Sequence, residues 1–137
     1  MRTTAYIVSI VVGLALIIGG VATWITVSST LSDQEITVSE DASCLADDKV
    51  NGPLSSYCEA LVIQKHTLEA TGGKTYAELG REDPLRQTAA TSAFLQSSLI
   101  TSVLAFGVSA MAILIGILFI LIGLGIRDVA ERTTAPA

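Results

Sequence analysis

The chain has 137 residues, of which 50% are hydrophobic, and a formal net charge of −5. Most of the hydrophobic residues lie in two long stretches, so the remaining sequence can form only a small soluble domain, which would be marginally stable by itself. The acidic balance argues against nucleic acid as a partner, because nucleic-acid binding requires basic patches.

Two stretches without a charged residue, 5–27 and 98–126, dominate the sequence. Each exceeds the roughly 20 residues that a helix needs to cross the ~30 Å hydrocarbon core of a bilayer. They predict an all-α membrane protein with two transmembrane helices, at 5–27 and 98–126. A cleaved signal peptide is the alternative for the first stretch. Its length favours an uncleaved anchor, because the apolar region of a signal peptide has about 7–15 residues.

Charges near the ends of the spans predict their orientation. Arg2 and Arg127 adjoin the spans on the side of the two termini, whereas the loop at 28–97 carries eleven acidic and five basic residues. Lys and Arg close to span ends favour the cytoplasmic side. We therefore expect a plasma-membrane protein with residues 1–4 and 127–137 in the cytoplasm and the loop domain outside. The last five residues, 133–137, are predicted to be a disordered tail.

Small residues recur at helical spacing in both spans. The rows are Ser9 and Gly13, then Ala15, Gly19 and Thr23 in the first span, and Ala105 and Ser109, then Ala112 and Gly116 in the second. Such rows let helix backbones approach closely in lipid, so we predict that the two spans pack together through them. The alternative is that Gly and Ala are simply common in membrane helices. Neither span contains Asp, Glu, His, Lys or Arg, which argues against an autonomous pump or transporter.

The loop of about 70 residues is predicted to be mostly helical. Alternation of polar and β-branched residues indicates an extended segment at 34–39. An amphipathic helix follows at 53–71, with Pro53 at its first position and two glycines after its end. Its apolar face would contain Leu54, Tyr57, Leu61 and Leu68, with Cys58 on the same side. That face must be covered, by the membrane surface, the other helices or a partner.

Two helix-start signals follow the glycines. Thr75 and Glu78 have the spacing of a capping box, which predicts a short helix at 76–80. Asp83 followed by Pro84 is the next start signal. From there nothing stops the helix before the second span, so residues 84–97 are predicted to form a helical stalk.

The two cysteines, Cys44 and Cys58, both lie in the loop. In an oxidising compartment they are expected to form a disulfide, and closing a loop of about 15 residues contributes roughly 3 kcal/mol. The alternative is two independent small apolar side chains. A structural zinc site is not supported, because two thiols and one histidine lack the short paired ligand spacings of such sites.

His66, the single histidine, lies in a charged part of the predicted helix. It is interpreted as part of a solvated helix face, with pairs such as Lys65–Glu69 and His66–Glu69. A role in sensing pH is the alternative. The segment 72–75, Gly-Gly-Lys-Thr, is similar to the end of a phosphate-binding loop. The first glycine of that motif is missing, because position 68 is Leu, and the preceding element is a helix, so nucleotide binding is excluded.

The stretch 66–79, followed by 81–84, 99–108 and the earlier segment 36–42, resembles a family of small two-span membrane proteins of actinobacteria. The residues that carry the central motif are His66, Glu69, Gly72, Gly73, Lys74, Thr75, Tyr76, Glu78, Asp83 and Pro84. The resemblance implies an actinobacterial cell membrane and two-span topology. Members are often labelled aromatic ring-opening dioxygenases. Extradiol-type ring opening uses iron held by two histidines and a carboxylate, and one histidine does not provide that set.

Taken together, these features predict a non-enzymatic accessory or structural subunit of a larger cell-envelope complex. It needs no cofactor, and its partners are the lipid bilayer and other membrane-protein subunits, with no small-molecule substrate evident. Actinobacterial respiratory supercomplexes of cytochrome bcc with aa3 oxidase contain small subunits of this general kind and are the specific partner hypothesis. The alternatives are a homo-oligomeric membrane pore or transporter helper and, disfavoured, a dioxygenase.

Overall fold

The computed structural model describes residues 2–134, and the regular secondary structure in this range consists of helices. The helices are α1 (Arg2–Asp33), α2 (Pro53–Ala70) and α3 (Arg86–Thr134). Within this range no strand forms, and the β structure amounts to one isolated antiparallel bridge between Thr37 and Lys49. The predicted all-α class with two long apolar helices is confirmed.

Helices α1 and α3 are long and apolar enough to cross a membrane. Of the most apolar 18-residue segment in each helix, only 11% and 17% is buried inside the protein. The core helix of a soluble protein, in contrast, is mostly buried. Most of this apolar surface therefore has no protein cover, and lipid is the environment in which such a surface is stable. The two helices are compatible with a membrane protein.

Both long helices extend beyond the predicted spans. Helix α1 continues past residue 27 to Asp33, because its polar last turns contain no Gly or Pro. The hydroxyls of these turns also donate hydrogen bonds to carbonyls of the preceding turn, as Thr30 Oγ1 does to the Thr26 carbonyl at 2.8 Å. Helix α3 begins at Arg86, not at 84, after a turn in which Asp83 Oδ1 accepts the Leu85 N–H at 2.9 Å.

Helix α3 also includes the first part of the predicted disordered tail, since it reaches Thr134. Residues 135–137 of that tail, and Met1 in the predicted cytoplasmic segment 1–4, lie outside the described residues.

The segment 76–80, for which one short turn of helix is predicted, forms a single turn that does not extend into a longer helix. The Thr75 carbonyl accepts the N–H groups of Glu78 and Leu79 at 3.1 and 3.3 Å. The Glu78 carboxylate accepts both the N–H and the hydroxyl of Thr75 at 2.8 Å. Since the hydroxyl donates to that carboxylate, only one half of the predicted capping box forms, and no helix follows.

The chain divides into two compact units. One, here called the helix pair, is Met1–Ile25 with Gly107–Ala137 and contains most of α1 and α3. Its two helices are antiparallel. Tyr6 contacts Gly123, Gly13 contacts Gly116, and Gly20 contacts Ser109, so the residue numbers along α3 decrease as those along α1 increase.

The other unit, here called the middle domain, is Thr26–Phe106. Residues 36–39 run beside 47–50, with the Val50 N–H donating to the Ile36 carbonyl and the Val38 N–H to the Asp48 carbonyl, both at 2.9 Å. Val38 and Val50 are buried there against the centre of the domain. Most of the extended segment predicted at 34–39 therefore lies in this pair of segments, where 36–39 run beside 47–50. Cys44 and Cys58 form a disulfide, which confirms the expected bridge.

Candidate functional site

The contact in the helix pair uses some of the predicted small residues and not others. A Cβ added to Gly13 would lie 2.6 Å from the Gly116 carbonyl oxygen, and the reverse distance is also 2.6 Å. Ser9 Oγ donates to the Phe119 carbonyl at 2.6 Å, and Ser109 is buried. These residues therefore lie where two helix backbones approach without intervening side chains.

The second predicted row of α1 lies beside this contact. Ala15, Gly19 and Thr23 are exposed, and a Cβ on Gly19 would meet nothing within 4 Å. They form a shallow groove whose opposite wall includes Ala112. Ala105 belongs to the middle domain. The row of Ala15, Gly19 and Thr23 lies beside the close contact and not in it, because at 3.6 residues per turn it falls on a different side of the helix from Gly13.

Gly123, which follows the small-residue rows of the second span, lies in the contact, and so does Gly20, which the sequence analysis did not single out. The signal that identifies them is a spacing of seven. Gly13 and Gly20 are seven apart on α1, and the α3 positions are Ser109, Gly116 and Gly123. A seven-residue repeat is the pattern of helices that cross at about 20° and keep one side in contact over several turns. The contact line through these five positions is here called the seam.

Helix α2 exposes the face that sequence analysis expected to be covered. Leu54 is 70% exposed, Tyr57 46% and Leu61 38%. These three residues, here called the α2 stripe, are spaced by three and four and so lie along one side of the helix. The opposite side faces the centre of the domain. The amphipathic helix is present, but the predicted placement of Cys58 with the apolar residues is wrong, since Cys58 is buried.

Covalent and hydrogen bonds explain why the more polar side of α2 is inside. Cys58 is joined to Cys44, and the Glu59 carboxylate accepts the Ser39 N–H at 3.0 Å. Ser56 Oγ donates to the Gly52 carbonyl at 2.8 Å. Each of these buried polar groups thus has at least one bonding partner, which offsets part of the cost of burying it. The disulfide then holds this side of the helix against 39–44.

The charged cluster of α2 forms with the segment before it. Asp41 Oδ2 lies 2.9 Å from Lys65 Nζ and 2.8 Å from His66 Nε2. The predicted solvated face is therefore present, but the partner of both side chains is Asp41 and not Glu69. All three side chains are about half exposed, and exposed pairs contribute little to stability. The cluster joins 39–44 to the helix beyond the disulfide.

This cluster predicts a specific dependence of stability on pH. Hydrogen bonds from Lys65 and His66 lower the pKa of Asp41 from its ordinary 3.8 to about 2. A carboxyl with a lowered pKa in the folded state binds fewer protons there than when unfolded. Its contribution is complete above pH 3.8 and disappears as the pH falls to about 2.

We therefore expect Asp41→Asn to reduce the loss of stability between pH 4 and pH 2, relative to the unmutated protein. Unfolding of the full chain in detergent across this range measures it. Asp33→Asn, which removes a carboxyl without such a pair, is the control. Parallel pH curves for the unmutated chain and Asp41→Asn would contradict the assignment.

The other residues of the resemblance motif shape the connection between α2 and α3. Gly72 and Gly73 have φ of 62° and 83°, and the Gly73 N–H donates to the Leu68 carbonyl at 2.7 Å, which ends α2. The Arg86 guanidinium lies 4.2 Å from the Tyr76 ring centroid and also donates to the Leu79 carbonyl. Glu69, Lys74 and Pro84 are exposed. The motif acts as a structural connector in this geometry.

Two grooves open on the side of α2 opposite the stripe. The larger, about 650 Å³ and here called the Glu59 groove, lies between the end of α1, α2 and α3 within the middle domain. Glu59 lines it together with apolar residues, which include Leu31, Ile36, Ile63, Phe94 and Leu99. The smaller, about 530 Å³, contains His66 and shares Ile63 and Leu95 with the first. The residues that line both grooves all belong to the middle domain.

No group of three His, Cys, Asp or Glu side chains in residues 2–134 is arranged to hold a metal ion. Comparison with protein-family models, with curated proteins and with solved structures finds no match to this chain. The surfaces of the middle domain and of the helix pair are therefore the candidate functional sites.

Proposed function

We propose that this protein is a non-catalytic accessory subunit of a larger membrane complex of the cell envelope. The observation that carries the proposal is the α2 stripe, in which Leu54, Tyr57 and Leu61 remain uncovered by the rest of the middle domain. Contiguous apolar side chains on a folded surface are typical of interaction sites. A partner that covers them removes apolar area from water and so gains binding free energy.

The topology that fits this role has both termini in the cytoplasm and the middle domain outside. The acidic loop and the flanking arginines support it through the charge bias of membrane insertion. The Cys44–Cys58 disulfide supports it as well, because disulfides persist in oxidising compartments. Labelling of reduced thiols in intact cells with a membrane-impermeant reagent tests this orientation, and labelling that requires cell lysis would contradict it.

Our specific proposal concerns the actinobacterial plasma membrane, and the motif resemblance to two-span actinobacterial proteins supports it. Among its complexes, the cytochrome bcc–aa3 respiratory supercomplex is the partner that we propose. The supporting features are two uncharged long helices, a close-packed seam of small residues and an uncovered apolar stripe. A small subunit that packs at the edge of a large complex needs these features and no catalytic group.

Native purification in mild detergent tests the proposal. We expect the tagged full chain to migrate with a larger complex whose other subunits are identified by mass spectrometry. Changing the stripe to Leu54→Ser, Tyr57→Ser and Leu61→Ser should reduce recovery of those subunits by about tenfold or more, because truncating central apolar contacts is the costly change at an interface.

The control changes Gln64→Ser and Glu69→Ser, which are exposed polar positions of the same helix. They should leave recovery of the complex unchanged. Migration of the unmutated chain as a free monomer would disprove the proposal. A discrete ladder of its own copies would instead indicate the homo-oligomeric alternative.

A further inference from the structure

The Glu59 groove contains a buried carboxylate in an otherwise mostly apolar wall. Glu59 is 7% exposed, and its Oε2 accepts the Ser39 N–H at 3.0 Å. Glu59 is not part of any ion pair among the described side chains, residues 4–132. Glutamate is almost never so buried unless it is paired with a cation, and one backbone N–H satisfies only part of a carboxylate's capacity to accept hydrogen bonds.

The groove around this carboxylate has the dimensions of a short docking site. One wall runs along the end of α1 and just beyond it, from Val27 to Gln34, and another runs along α3 from Phe94 to Ser102. At 1.5 Å per residue these walls are roughly 10–12 Å long, or about two helical turns. A volume of about 650 Å³ therefore accommodates one long side chain and the few residues around it, but not a whole helix.

Phe94 marks the rim of the groove. It lines the groove and is nevertheless 75% exposed, the largest exposed fraction among the large apolar side chains of residues 2–134. Exposed aromatic side chains beside a pocket are frequent anchors of protein interfaces. An occupant that fills the groove would cover Phe94 and bring its own side chain to Glu59.

We infer that the Glu59 groove docks a segment of a partner membrane protein in which a lysine or arginine is flanked by apolar residues. The basic side chain pairs with the Glu59 carboxylate, and the flanking residues contact Phe94, Ile63 and Leu99. We choose this occupant because its charge complements that of the groove. Glu59 forms no ion pair with a described side chain and lies in a mostly apolar wall, so a cation on an apolar segment matches it. The inference rests on the proposed function, since it names one contact within the complex.

Photo-crosslinking in native membranes tests the inference. Phe94 is replaced by p-benzoylphenylalanine in the full chain, the membranes are irradiated, and the crosslinked peptide is sequenced. We expect an adduct with a different membrane protein, within a segment that contains Lys or Arg between apolar residues. Adding Glu59→Gln should lower the yield about tenfold or more, because a hydrogen bond to a charged group is lost.

Glu59→Gln is suited to this test because its amide oxygen can still accept the Ser39 N–H, so the fold is retained. Persistence of the Cys44–Cys58 disulfide on non-reducing gels checks that retention. Glu69→Gln, an exposed carboxylate of the same helix, is the control and should not change the yield. Neutralising the partner's basic residue should lower the yield to the same level and add nothing to Glu59→Gln, as expected for a coupled pair.

The inference is overturned by adducts with lipid only, by adducts with a second copy of this chain, by a yield insensitive to Glu59→Gln, or by no adduct. These outcomes are distinguishable from failure of the proposed function. If the chain still co-purifies with a larger complex, the proposed function stands and only the assignment of this groove fails.

Discussion

Replacing Gly13 with alanine is expected to disrupt the helix pair, although the change adds a single methyl group. The new Cβ would lie 2.6 Å from the Gly116 carbonyl oxygen. Real Cβ atoms essentially never lie closer than 3.0 Å to such an atom. The obstructing atom belongs to the backbone, so no side-chain rotation relieves the clash and the helices must separate. Overpacking of this kind costs about 1–3 kcal/mol.

The separation can be measured by energy transfer between labels on the two helices, at Thr4 and at Gly125, during titration of the full chain with a denaturing detergent. Gly125 tolerates a label, because a Cβ there meets nothing within 4 Å. We expect loss of energy transfer at a lower detergent fraction in Gly13→Ala. Packing contacts carry helix association in lipid, where the hydrophobic effect does not, so few other interactions offset the loss.

Gly19→Ala is the matched control, six residues further along the same helix. Its Cβ would meet nothing within 4 Å. Alanine is also more favourable than glycine inside a helix by roughly 0.5–1 kcal/mol. This variant should therefore be as stable as the unmutated chain or slightly more stable. Equal destabilisation by both substitutions would show that the seam does not pass through Gly13.

Loss of the Cys44–Cys58 bridge is expected to be the most damaging change in the middle domain. The bridged residues are 14 apart, and closing a loop of about this length contributes roughly 3 kcal/mol on the chain-entropy model. A free energy of this size changes the ratio of folded to unfolded chains by about a hundredfold. The buried apolar side chains of this domain are few, among them Val38, Val50 and Val62, so little else compensates.

Limited proteolysis of the full chain in detergent, with and without reductant, measures this effect. The segment 40–49 should be cleaved much faster after reduction, because the bridge holds it against α2. Cys44→Ser keeps the buried Cys58 side chain but removes the bridge. It should be cleaved as fast as the reduced protein and be insensitive to reductant. Equal cleavage rates for the oxidised and reduced chains would mean that the bridge does not stabilise this segment.

The Gly13 contact and the disulfide both affect surfaces that a partner would contact under the proposed function. The seam at Gly13 decides which sides of α1 and α3 remain free for lipid or another subunit. The disulfide holds α2 in the orientation that exposes Leu54 and buries Glu59. The middle domain therefore presents two chemically different surfaces, an apolar stripe and a groove with one carboxylate, on opposite sides of a single helix.

Much of the helical content follows from local sequence. Long runs of residues without Pro specify α1 and α3, because a helix satisfies its backbone hydrogen bonds within itself. Pro53 and the glycines at 72–73 set the ends of α2, because one lacks an N–H that the first turn does not use and the others adopt positive φ without strain. The disulfide followed from there being two cysteines in one short loop.

Orientation and register depended on the tertiary structure. An amphipathic pattern shows that α2 has two faces, but not which of them is covered. The bond from Cys58 to Cys44 and the hydrogen bond from Ser39 to Glu59 turn its polar side inward. Likewise, several rows of small residues in α1 fit a close contact by composition alone. Only the antiparallel alignment with α3 places Gly13 and Gly20 in the seam and leaves Gly19 outside, because a contact depends on both surfaces at once.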